Sequence, residues 1–76
     1  MNVDMTKIKE SLVEYGEPEI TAETVDTFTV NETHLHISRN GVNTGGLEMD
    51  FRDATGNIAF YIEVHHNEVW HFDWIH

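Results

Sequence analysis

An α+β fold is predicted by three observations on the 76-residue chain. Apolar residues recur at helical spacing near the start, they alternate with polar ones from about residue 24 onward, and the later runs are separated by Gly- and Asn-containing stretches typical of tight turns. The whole chain, 1–76, is therefore read as a single domain. It comprises a helix over about 4–15, an acidic connector over 16–23 and an antiparallel sheet over about 24–76. The helix is expected to pack on a β-meander of four or five strands. A chain of this size buries only roughly 60% of the surface its unfolded form exposes. With no cysteine, no disulfide can add stability.

In "DMTKIKESLVEY", Met5, Ile8, Leu12 and Tyr15 draw one apolar stripe down a helix. Asp4 or Thr6 can cap its first turn, and Gly16 followed by Pro18 ends it. A helix this short is marginal alone, so its stripe must dock. After "GEPEITAE" the period falls to two. "TVDTFTV" is rich in β-branched residues, "HLHISR" sets Leu35 and Ile37 on one side, and "GLEMDFR" sets Leu47, Met49 and Phe51 opposite Glu48, Asp50 and Arg52. "NIAFYIEV" turns Phe60, Ile62 and Val64 inward and Tyr61 and Glu63 outward. "RNGVNTGG", "DATGN" and "HNE" supply the hairpin connections.

If "HNE" closes the last hairpin, Val64 falls opposite Trp70, Ile62 opposite Phe72 and Phe60 opposite Trp74. The three tail aromatics then belong to the core, and removing Trp70 or Phe72 is expected to cost about 3 to 5 kcal/mol. Val69, His71, Asp73 and Ile75 would face outward, with His71 opposite Glu63. Pairing Ile37 with Leu47 would put His36 opposite Glu48 and His34 opposite Asp50. The last strand lies at a sheet edge, which offers a route to a homodimer.

Composition restricts function. Fourteen Asp and Glu against four Lys and Arg give a formal charge of −10. Direct binding to nucleic acid or to an anionic membrane requires clustered basic residues, which this chain lacks. No run is apolar enough to span a bilayer, and the expected location is the cytoplasm, that of a host if the chain is phage-encoded. Neither a P-loop nor a His-Glu-x-x-His, Cys-x-x-Cys or calcium-loop motif occurs. No catalytic residue, metal ligand or cofactor is assigned, and a flat outer sheet face offers little pocket for catalysis.

What remains is recognition. Residues 1–32 carry eight of the acids and no histidine, whereas all six histidines follow residue 33. The acids are spread through segments expected to fold, so their positions would be fixed. Glu17, Glu19, Glu23, Asp26, Glu48, Asp50, Glu63 and Asp73 are the candidate partner-binding residues, for a basic protein that itself binds nucleic acid. In size, acidity and lack of catalytic motif the chain resembles the small inhibitors that phages and mobile elements direct against nucleic-acid enzymes, anti-restriction and anti-CRISPR proteins among them. That likeness is one of composition. The expected function is thus a non-enzymatic inhibitor whose carboxylates imitate phosphates. A histidine-dependent metal or pH sensor, and a small assembly subunit, are the alternatives.

Overall fold

The computed structural model describes residues 3–37 and 43–75, without the side chains of 31–37 and 43–45. Helix α1, Met5–Tyr15, is capped by Asp4, whose carboxylate accepts from the Lys7 amide at 3.2 Å. It ends at Gly16, where a φ of 98° suits a residue without Cβ. Ile8 and Leu12 of the apolar stripe are fully buried, while Tyr15, at its end, is exposed and stacks on Phe72.

The four strands are β1 (Thr29–Ile37), β2 (Asn43–Arg52), β3 (Ile58–His65) and β4 (Glu68–Trp74), paired antiparallel in the order β1-β2-β3-β4. This is the predicted meander, with four strands. The sheet starts later than expected, because Val25–Thr27 form a short 3-10 turn. The threonines that suggested a strand instead satisfy local backbone groups. Thr24 Oγ1 donates to the Glu19 carbonyl at 2.9 Å and accepts from the Thr21 amide at 2.9 Å, and Thr27 Oγ1 donates to the Thr24 carbonyl at 2.6 Å.

Alternation places Met49, Phe51, Phe60, Ile62 and Val64 on one face, packed with Ile8 and Leu12 of α1 and with Ile20 and Val25 of the connector. Phe60 is central. Its ring lies 4.8 Å from Phe51, 4.7 Å from Phe72, 5.1 Å from Phe28 and 5.4 Å from Trp74, in stacked and edge-on arrangements. Two polar bonds align α1 with the last hairpin: the Asp4 amide donates to Asn67 Oδ1 at 2.9 Å, and the Val69 amide donates to Ser11 Oγ at 2.8 Å.

The β1–β2 register differs from expectation by two residues. Leu35, not Ile37, pairs with Leu47; His34 pairs with Glu48, Glu32 with Asp50 and His36 with Gly46. Part of the stretch read as a hairpin connection is strand, since β2 already begins at Asn43, which pairs with Ile37, and an irregularity between His36 and Ile37 offsets the partners that follow. An even shift leaves the faces unchanged. Residues 38–42 lie outside the described residues, as do the side chains of His34 and His36.

Candidate functional site

The helix and connector cover one face of the sheet, and the other face carries the acids of β2, β3 and β4. Register aligns Glu48, Glu63 and His71 in one row across three strands, and Asp50, Tyr61 and Asp73 in the next. Glu48, Tyr61, Ile62, Glu63, His71 and Asp73 line a shallow cleft of about 140 Å³. Like charges directly opposite each other destabilise a strand pair. Here Glu63 turns along its own strand, and its Oε2 lies 2.5 Å from Nε2 of His65.

The four predicted acids on this face have different environments. Asp73 and His71 are exposed, and Glu48 and Glu63 are half-buried. Asp50 is only 7% exposed, with its Oδ1 3.7 Å from Arg52 Nε. Among the described residues neither of those two atoms has a hydrogen-bond partner. Asp50 is therefore a buried member of an ion pair rather than a surface charge.

His65 and Trp70 form a cluster that periodicity alone does not suggest. His66 and Asn67 both have positive φ, 52° and 63°, as a two-residue type I′ hairpin turn requires. That turn pairs His65 with Glu68 and Val64 with Val69, and an irregularity then restores the pairing of Glu63 with His71 and Ile62 with Phe72. Trp70 is the extra residue of this bulge. It is 61% exposed, and Val69 is buried in its stead, so the expected inward Trp70 and outward Val69 are both corrected. Phe72 and Trp74 retain their predicted partners and pack against the core. Truncating Trp70 to Ala should accordingly cost about 1 kcal/mol, the scale of one aromatic contact, rather than the cost of a core aromatic.

The Trp70 indole stacks on the His65 imidazole, with ring centroids 4.1 Å apart and planes at 26°. On the neighbouring strand His65 faces Gly46, and a Cβ there would come within 2.7 Å of the imidazole. His65 is consequently 6% exposed although it lies on the open face. Gly46, His65 and Trp70 were not among the predicted site residues. The Asn67 turn signal, combined with apolar residues at 69, 72 and 74, could have revealed the bulge that creates the cluster.

The connector acids occupy the opposite side of the sheet. Glu19, Glu23 and Asp26 are exposed and Glu17 is half-buried, in a segment anchored by buried Ile20 and Val25. Asp26 is paired with Lys9 Nζ at 2.8 Å. The eight predicted residues thus form two separate groups. Among the described residues no three His, Asp or Glu converge as metal ligands would, and no helix is long and apolar enough to cross a membrane. No protein-family model, curated protein or solved structure matches the chain.

Proposed function

We propose that the protein is a small, non-enzymatic binding protein whose acidic sheet face occupies the nucleic-acid-binding surface of a basic protein. The observation that carries this reading is the face opposite α1, where Glu48, Glu63 and Asp73 stand in adjoining rows. Residues on one face of a strand repeat roughly every 6.6 to 6.8 Å, and neighbouring strands lie about 4.8 Å apart, so the sheet offers a fixed grid of negative charge. A net charge of −10 steers association with a basic partner and disfavours binding to nucleic acid itself. Inhibition by occlusion, as in phage-type anti-restriction or anti-CRISPR action within a host cytoplasm, is the function that fits these properties.

The test is capture of the partner from a host extract followed by competition. Binding should weaken with added salt, since exposed charges are screened over roughly 8 to 10 Å, and duplex DNA or RNA should displace the protein. Glu48→Lys combined with Asp73→Lys should slow association at least tenfold. Asp50 is unsuitable for reversal because a lysine there would be buried beside Arg52. A captured partner insensitive to salt, to nucleic acid and to the double reversal would exclude this function.

A further inference from the structure

Trp70 has one ring face against His65 and most of its surface open, on a molecule of formal net charge −10. The imidazole beneath it is wedged against Gly46 and held at Nε2 by the Glu63 carboxylate, which brings a negative charge beside the stack. Exposed Glu68 lies two residues before Trp70 and pairs with His65 across the hairpin. We infer that Trp70 is the anchor for an arginine side chain of the basic partner, whose guanidinium stacks on the indole face turned away from His65.

The chemistry separates arginine from lysine. A planar, weakly hydrated guanidinium can lie flat on an indole while its edge donates to a neighbouring carboxylate. An ammonium is a compact, strongly hydrated charge and gains less from the ring. Tryptophan and arginine are also enriched where interfaces are energetically focused. A bulge that projects Trp70 outward while keeping Val69 in the core provides this anchor without opening the hydrophobic interior.

This inference rests on the proposed acidic binding face, and two peptides of equal length and charge distinguish the failure of one from that of the other. The intact protein is titrated with poly-arginine and with poly-lysine, following its indole N–H signals by NMR. Poly-arginine should bind roughly two- to fivefold more tightly and shift the Trp70 indole most, a range consistent with exposed cation–π contacts. Trp70→Leu, which keeps apolar bulk without the π face, should remove that preference and leave poly-lysine binding within twofold. Thermal melting verifies that the variant is folded, and Trp70→Phe should retain part of the preference. Equal affinity for both peptides, unchanged in Trp70→Leu but reduced by the Glu48 and Asp73 reversals, would overturn the arginine anchor and leave the acidic face standing. Absence of binding by both peptides would overturn both.

Discussion

His65 owes its burial to the residue opposite it, because only glycine at position 46 leaves room for the imidazole. Gly46→Ala should therefore destabilise the fold by about 1 to 3 kcal/mol, the usual range for overpacking, and should shift the His65 and Trp70 ring signals together. Melting curves with ring NMR spectra check it; an unchanged His65 environment would contradict the packing described. Asp53 behaves differently because its site is a loop. Its carboxyl is held below the usual carboxylate range, first by the Thr55 hydroxyl and then by the amides of Thr55, Asn57 and Gly56. Since the folded value lies below the unfolded one, this stabilisation is complete above the unfolded value and is lost as pH falls through the folded one. Thr55→Val should move the Asp53 titration back toward the ordinary range in a carboxyl NMR experiment.

Helix α1 reaches β4 through both its apolar stripe and Ser11, which takes the Val69 amide. Ser11→Ala should cost about 1 kcal/mol, the typical value of one hydrogen bond, and should increase hydrogen exchange at the Val69 amide. A protected Val69 amide in that variant would show that another group satisfies it. The same bond limits pairing at this edge, so a second chain adding to β4 would have to use residues beyond Val69. The elements themselves were legible in the sequence: Ile8 and Leu12 marked the buried helix face, and the alternation from Leu47 to Phe51 and from Phe60 to Val64 marked the core side of the sheet. Three features were not. The β1–β2 register depends on where a Gly- and Asn-rich stretch stops being loop, Thr24 and Thr27 can serve a turn as well as a strand, and the β4 bulge reconciles turn geometry with core packing. Periodicity averages over such single-residue offsets, which is why it turns Trp70 inward, against the structure, while placing Phe72 and Trp74 on the face they occupy.

For the molecule as a whole, the fold divides a strongly acidic chain into two surfaces. The connector acids stand on the helix side, where Asp26 is already paired with Lys9, and the sheet acids stand on the open side beside Trp70. Charge composition is the basis for proposing an acidic binding protein, but which acids stand together depends on strand register and on the side of the sheet each occupies. The sheet face is the proposed binding surface, because its acids share one sheet and lie on the same side as the exposed Trp70. Amide chemical-shift mapping with a basic peptide, at low and at high ionic strength, tests that claim most directly. The predicted result is a set of shifts centred on Glu48, Tyr61, Glu63, Trp70, His71 and Asp73 that fades as salt is added. Shifts centred on Glu17, Glu19 and Glu23, or shifts that persist unchanged in high salt, would contradict it.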